Sequence, residues 1–274
     1  MIDKELVQRA LAEDLQGGED ITSAATIAAA ADATADFVTR KSGIIAGIDM
    51  ACEVLHQVGL TDITIKVRDG EHVQPGTVVL SVKGNTRAIL LAERTALNFL
   101  GHLSGIATLT GEWVAAVAHT SCVIRDTRKT TPGMRLLEKY AVRMGGGSNH
   151  RMSLSNAALI KDNHIAAAGG VSQAFLLVRK KYPNSPIEIE VDTLQQLHEV
   201  LPLKPDLILL DNMTPEQCAE AVKIAGKQVE LEASGGISLA NAARYAESGV
   251  NYLAIGALTH SAAVLDIGLD LRME

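Results

Sequence analysis

Six short aliphatic runs recur between residues 122 and 255: Cys122–Ile124, Ala157–Ile160, Ile187–Ile189, Leu207–Leu210, Val229–Leu231 and Tyr252–Ile255. Each is followed by a polar or glycine residue and then by a stretch with helical patterning. Strands that alternate with helices are joined by crossovers, so they run parallel and are covered by helices. Six such units fit an α/β barrel. In a parallel barrel the C-terminal strand ends converge on one face, where the loops build a site. The residues that follow the runs are Asp126 and Arg128, Lys161, Glu190, Asp211, Glu232 with Ser234, and Gly256. One polar strand ending says only that loops are wet. Six endings of this composition point to a shared polar bowl.

The residues before the runs have a different texture. Leu6, Ala10 and Leu11 form a helical stripe that stops at Gln16-Gly17-Gly18-Glu19-Asp20. Strand-like pieces follow at Ala35–Thr39, Ile63–Val67 and Val78–Val82, joined by Gly and Pro turns. The stretch Arg68–Leu80 is a little like a biotinyl or lipoyl sandwich, but it has no lysine to serve as a hairpin tip, which argues against a swinging-arm carrier. A long helix is expected over about Thr86–Ala118, with Ile89, Ala92, Leu97, Leu100, Leu103 and Leu109 as its apolar positions. Gly101 and Gly105 are its candidate interruptions. The expected division is a first domain over residues 1–108 and a barrel domain over 109–274, with the tail from about 265 free to pack with the first.

Composition narrows the function. Aromatic residues are only 3%, so stacking platforms for nucleic-acid bases are not expected. Met1–Glu5 lacks the basic and apolar regions of a secretory signal, and the Ala24–Ala35 run is too short and too interrupted to span a membrane. Cys52, Cys122 and Cys218 are odd in number and widely spaced, which fits reduced, buried thiols in a cytoplasmic protein. The chain carries a net charge of −7, yet Arg125 to Lys161 holds eight Lys and Arg against two acids. That island is +6 and leaves −13 for everything else. A compact cationic island in an acidic chain suggests a compact anionic ligand.

Within the island, Arg128, Lys129, Arg151 and Lys161 follow strands or turns, where a guanidinium fork or an ammonium can meet a carboxylate or phosphate. Arg135, Lys139 and Arg143 fall in a helical pattern and are read as a solvated face or as partners of Glu138. Gly145-Gly146-Gly147 before Ser148-Asn149-His150-Arg151 permits close approach of backbone to ligand. Ala233–Ser238, with a helix beginning near Ser238, and Ala254–Thr259 read as phosphate loops built from backbone N–H groups and helix dipoles. Glu190 and Asp211, at neighbouring strand ends, could hold Mg2+ or neutralise Lys129 and Lys161. Glu188 and Glu232 alternate with apolar neighbours and are expected to pair with basic residues inside the barrel. Asp192 is expected to cap the next helix. His150 stands out among the histidines because Arg151 and the glycine turn adjoin it; His164 and His260 also lie beside motifs.

The motifs in order resemble those of the quinolinate phosphoribosyltransferase family across nearly the whole chain. They are Ala10–Leu15 with Asp20–Ser23, Ala92–Asn98, Asp126–Gly133, Gly145–Gly147 with Asn149–Arg151, Leu159–His164, Glu188 with Glu190-Val191, Asp211–Met213, Glu232–Ile237 and Gly256–Ser261. The resemblance implies an N-terminal open α/β sandwich, a C-terminal TIM-like α/β barrel, and a homodimer or higher homo-oligomer with shared sites. It implies transfer of phosphoribosyl from 5-phosphoribosyl 1-pyrophosphate to quinolinate with decarboxylation, giving nicotinate mononucleotide for NAD biosynthesis. Arg94 would then reach the neighbouring subunit's quinolinate. Arg128, His150, Arg151 and Lys161, with Thr127 and Lys129 beside them, would hold its carboxylates. Glu190 and Asp211 would meet the ribose hydroxyls and Mg2+, and with Lys129 they would form the catalytic set. Ser234, Gly235 and Gly236, with Ile255, Gly256 and Ala257, would bind the 5′-phosphate. Asn156 and Met144 depart from residues frequent in the family. Competing readings are a molybdenum-transport-associated homologue of the same fold, a Schiff-base lyase using Lys161 or Lys129, and a non-catalytic anion-binding barrel.

Overall fold

The computed structural model describes residues 2–273. Its strands are β1 (Asp32–Thr39), β2 (Gly43–Ile44), β3 (Asp62–Ile65), β4 (His72–Val73), β5 (Val78–Asn85), β6 (Val123–Arg125), β7 (Ala158–Ile160), β8 (Ile187–Val191), β9 (Leu207–Asp211), β10 (Glu230–Ser234), β11 (Tyr252–Ala254) and β12 (Ile267–Met273). The chain divides into two compact units. One comprises the residues up to Leu109, Leu137–Gly146 and those from Ser261 onward; the other comprises Thr110–Leu136 and Gly147–His260. The division therefore crosses the chain more often than a single cut near residue 108.

The first unit is built on a four-stranded antiparallel sheet in the order β12-β1-β5-β3. On β1, Ala33, Ala35 and Phe37 are buried and alternate with Thr34 and Asp36, the period of a strand with one face on a core. The tail returns as β12, with Leu269 opposite Phe37. The helix Ile48–Gln57 packs its Met50, Val54 and Leu55 inward. Asp69 caps it by accepting from the Gly47 and Ile48 amides at 3.0 and 3.1 Å, which satisfies donors that a helix start leaves orphaned.

The long helix runs unbroken over Thr86–Val117, so Gly101 and Gly105 do not interrupt it. They serve a close crossing instead. A Cβ on Gly101 would lie 2.8 Å from Val264 Cγ1, and one on Gly105 would overlap the Ala263 carbonyl. The Leu265 amide donates to the Gly101 carbonyl at 3.0 Å, so the tail is stitched across the helix where side chains are missing. Lys139 does not lie on a solvated face: it and Glu138 are both fully buried, and Glu138 Oε1 sits 2.9 Å from His102 Nε2. Arg143 alone of the three basic positions there is exposed.

In the second unit all six runs are strands, parallel, in the order β6-β11-β10-β9-β8-β7. That is the chain order closed on itself, with β11 beside β6. Among the described residues β6 and β7 do not pair, so the barrel stays open between them. Ser148 lies along the free edge of β6: its amide donates to the Ile124 carbonyl at 2.9 Å, and its carbonyl accepts from the Asp126 amide at 3.2 Å. Ile124, Ile160, Ile189, Ile208, Leu231 and Leu253 are buried in this unit. The cap after β8 is Thr193 rather than Asp192: its side chain accepts from the Gln196 amide, while Gln196 Oε1 accepts from the Asp192 and Thr193 amides. Among the described residues no helix is long and apolar enough to cross a membrane.

Candidate active site

At the C-terminal ends of the parallel strands lies a cavity of about 720 Å³. Thr127, Arg128 and Lys129 enter it after β6, and Lys161 after β7. Glu190 comes from β8 and Asp211 from β9. Ser234, Gly235 and Gly236 follow β10, and Ile255, Gly256 and Ala257 follow β11. His150 and Arg151 complete the wall from the segment beside β6. Arg94 is not among the lining residues; it stands exposed on the Thr86–Val117 helix.

Two oppositely charged groups meet at one side. Lys161 Nζ is 2.8 Å from Glu190 Oε2, and the Asp162 amide donates to Glu190 Oε1 at 3.3 Å. Glu190 is buried, whereas the Lys161 side chain is about half exposed. Carboxylate oxygens of Glu190, Asp192 and Asp211 all lie within 4.8 Å of one another. Burial and the neighbouring Glu190 charge raise the Asp211 pKa, so a cation placed there would relieve a repulsion the fold maintains. A hard oxygen donor set of this kind fits Mg2+.

Another part of the wall gathers guanidinium groups. Burial and the Arg128 charge lower the Arg151 pKa, the signature of two cations held close. Arg151 Nη1 donates to the Ala157 carbonyl at 2.7 Å, which orients its fork. Asp126 is fully buried and sets the turn: it accepts from Asn149 Nδ2 at 2.5 Å and from the His150 amide at 2.9 Å. Thr259 Oγ1 donates to the Lys129 carbonyl at 2.7 Å and so ties the lysine loop to the segment after β11. Asp126 is one of the strand-end residues expected at the bowl, and it acts by holding the Asn149 side chain and the His150 amide. Thr259 is not foreseen as a site residue, because a lone hydroxyl inside a motif gives no sign that it will bond a distant carbonyl.

His150 is placed differently from a simple ligand group. Its Nε2 lies 2.7 Å from Glu188 and 3.4 Å from Glu232, while its Nδ1 accepts from the Arg151 amide at 2.8 Å. Both nitrogens are engaged within the protein, leaving the carbon edge for the cavity. Burial opposes charging the ring, but the bonds to Glu188 and Glu232 outweigh it and push its pKa up to about 9. The amide at Nδ1 works against a second ring proton. With Nδ1 accepting, the ring presents the proton on Nε2 to Glu188. Burial and the Glu232 charge raise the Glu188 carboxyl against the lowering effect of its His150 bond. Arg125 Nη1, 3.1 Å from Glu232 Oε2, stacks over Tyr252 at 3.5 Å and completes the pairing expected of the interior acids.

The glycine loops offer amides rather than long helices. Gly235 and Gly236 take successive left-handed φ values of 88° and 65°. Consecutive amides in such a turn can form a concave anion nest. The helix expected near Ser238 begins at Ala242 and has six residues, and the one after β11 is Ala257–His260, with four. Gly256 needs its lack of a side chain: a Cβ there would stand 3.0 Å from Lys129 Cδ and 3.2 Å from His260 Nε2.

Residues 20–104 match the model of the quinolinate phosphoribosyl transferase N-terminal domain, and residues 106–270 match that of its C-terminal domain. The chain is 52% identical to the nicotinate-nucleotide pyrophosphorylase [carboxylating] of Mycobacterium leprae, covering 98% of this chain and 96% of that protein. A probable enzyme of the same name from Bacillus subtilis is 38% identical, covering 99% and 94%. The solved nicotinate-nucleotide pyrophosphorylase of Francisella tularensis superposes with a TM-score of 0.94 at 40% identity, covering 98% of this chain and 95% of that one.

Proposed function

The chain belongs to the quinolinate phosphoribosyltransferase family, and on that premise we propose that its bowl transfers phosphoribosyl from 5-phosphoribosyl 1-pyrophosphate to quinolinate and releases CO2. The products are nicotinate mononucleotide, pyrophosphate and CO2, a step of de novo NAD biosynthesis. The observation that carries the site assignment is the gathering in one cavity of Arg128, Arg151 and Lys161 with the carboxylates Glu190 and Asp211 and the Ser234–Gly236 and Ile255–Ala257 loops.

Quinolinate is a dianion and its partner substrate is more strongly charged. Arg128, Arg151 and Lys161 hold the carboxylates, with Thr127 and Lys129 beside them. The carbon edge of His150 packs against the ring, and its buried glutamates fix its orientation. Glu190 and Asp211 take the ribose hydroxyls, and the Gly235, Gly236 and Gly256 amides take the 5′-phosphate. Mg2+ held by Glu190 and Asp211 would neutralise charge on the departing pyrophosphate. The pyridine nitrogen already has a free lone pair, so attack on the anomeric carbon needs no general base. Positioning and electrostatic stabilisation supply the catalysis. When the adjacent carboxylate leaves as CO2, its bonding pair stays on the ring carbon beside the cationic nitrogen, and that carbon then takes a proton from water.

Arg94 belongs to this reading as a group lent to the bowl of a second copy in a homodimer or larger homo-oligomer. We place the reaction in the cytoplasm, which suits three buried, unpaired cysteines. A Schiff-base lyase is disfavoured because Lys161 is salt-bridged to Glu190, the opposite of the desolvated free amine such chemistry uses. The test is incubation of purified protein with quinolinate, phosphoribosyl pyrophosphate and Mg2+, followed by chromatography. Nicotinate mononucleotide is expected; its absence from folded, oligomeric protein would overturn the reading.

A further inference from the structure

Asn212 joins two parts of the bowl that the mechanism treats separately. It follows Asp211 at the end of β9 and takes a left-handed φ of 54°, unusual for a residue with a side chain. Its amide donates to the Ser234 carbonyl at 2.8 Å. Its Nδ2 donates to Asp211 Oδ2 at 2.6 Å. Only the nitrogen of the side-chain amide can donate to a carboxylate, so Oδ1 must point the other way. It points at Gly235. A Cβ on Gly235 would overlap Asn212 Oδ1, stand 2.7 Å from Asn212 Cγ and lie 3.0 Å from the Asn212 backbone nitrogen.

We propose that Asn212 is a positioning residue that fixes the Asp211 carboxylate against the ribose, and that Gly235 is glycine because the Asn212 side-chain amide occupies the space a Cβ would need. Two constraints therefore meet at Gly235. Its φ of 88° disfavours any side chain, and Asn212 excludes one sterically. The first constraint is independent of the residue 212 side chain, whereas the second is relieved when the side-chain amide is removed, leaving only the 3.0 Å approach to the residue 212 backbone nitrogen. This inference rests on the assignment of Asp211 and the Ser234–Gly236 loop to phosphoribosyl pyrophosphate.

A double-mutant cycle with Asn212→Gly and Gly235→Ala separates the two constraints. Glycine at 212 keeps the left-handed backbone without strain, so Asn212→Gly is expected to fold with an undiminished thermal midpoint. Calorimetry of phosphoribosyl pyrophosphate with Mg2+ should show its Kd rising about tenfold in Asn212→Gly, with the KM for quinolinate within about twofold of wild type. Gly235→Ala should weaken binding at least about tenfold more in the wild-type background than in the Asn212→Gly background. Equal penalties in the two backgrounds, or unchanged binding in Asn212→Gly, would overturn the proposal. A wild-type protein that binds phosphoribosyl pyrophosphate but does not turn over quinolinate would overturn the functional reading instead, and the binding cycle would still decide this one.

Discussion

Lys161 Nζ lies 2.8 Å from Glu190 Oε2, so the bowl holds one of its cations on one of its acids. That bond gives each charge a partner in the absence of substrate and holds both at the cavity wall. Because Lys161 is about half exposed, the pair contributes little to stability, about 1 kcal/mol or less. Lys161→Ala should therefore leave the thermal midpoint nearly unchanged while kcat/KM falls by about 100-fold or more. Steady-state kinetics beside a thermal melt checks this; parallel losses in both would make Lys161 a structural residue.

The Arg125–Glu232 pair behaves in the opposite way. Glu232 is fully buried, and removal of Arg125 leaves its carboxylate without the guanidinium bond and the Tyr252 ring without its stacked cation. Breaking a buried pair from one side costs about 3–5 kcal/mol. Arg125→Ala should lower the unfolding midpoint in urea by a corresponding amount, and Arg125→Lys should recover only part of it. A loss below about 1 kcal/mol would show that the interior charges do not depend on each other.

Arg128 and Arg151 are assigned to carboxylates through forked contacts, and a lysine cannot reproduce that geometry. Arg128→Lys should raise the KM for quinolinate about tenfold or more and leave that for phosphoribosyl pyrophosphate within about twofold. Equal rises for both substrates would mean that Arg128 supplies only bulk positive charge.

The three cysteines are buried, and burial pushes their thiols up to about 11 for Cys52 and about 12 for Cys122 and Cys218. The thiolate is the reactive form, so raised values mean less of it at pH 8. Native protein should react negligibly with a thiol reagent at that pH, and unfolded protein should titrate all three cysteines. Rapid modification of the native fold would contradict this burial.

Arg94 should act in trans. Arg94→Ala and Lys161→Ala proteins, each inactive alone, should recover activity when mixed into heterodimers, because one site in each then keeps both residues. Verified heterodimers without activity would remove Arg94 from the bowl.

In the second unit β6, β7, β9 and β11 are legible as aliphatic runs because parallel strands covered by helices are largely apolar, whereas β8 and β10 alternate apolar residues with Glu188, Glu190 and Glu232. Their ends were less clear. β8 and β10 extend through Glu190 and Ser234 because those polar residues remain in the hydrogen-bonded ladder while serving the cavity. β2 and β4 have two residues each, too few to leave a period. Lys139 was misplaced because lysine is seldom buried, and spacing alone cannot reveal which face a helix turns inward. The cationic cluster was visible as a charge anomaly, but the internal use of both His150 nitrogens depends on contacts from Glu188 and Arg151 that only folding creates.

In the proposed reaction one bowl both transfers phosphoribosyl and drives off the carboxylate beside the ring nitrogen. Quinolinate carrying isotope in that carboxylate, incubated with phosphoribosyl pyrophosphate and Mg2+, tests it most directly. The account predicts one labelled CO2 and one pyrophosphate for each nicotinate mononucleotide formed. Label retained in a nucleotide product, or CO2 released without pyrophosphate, would contradict it.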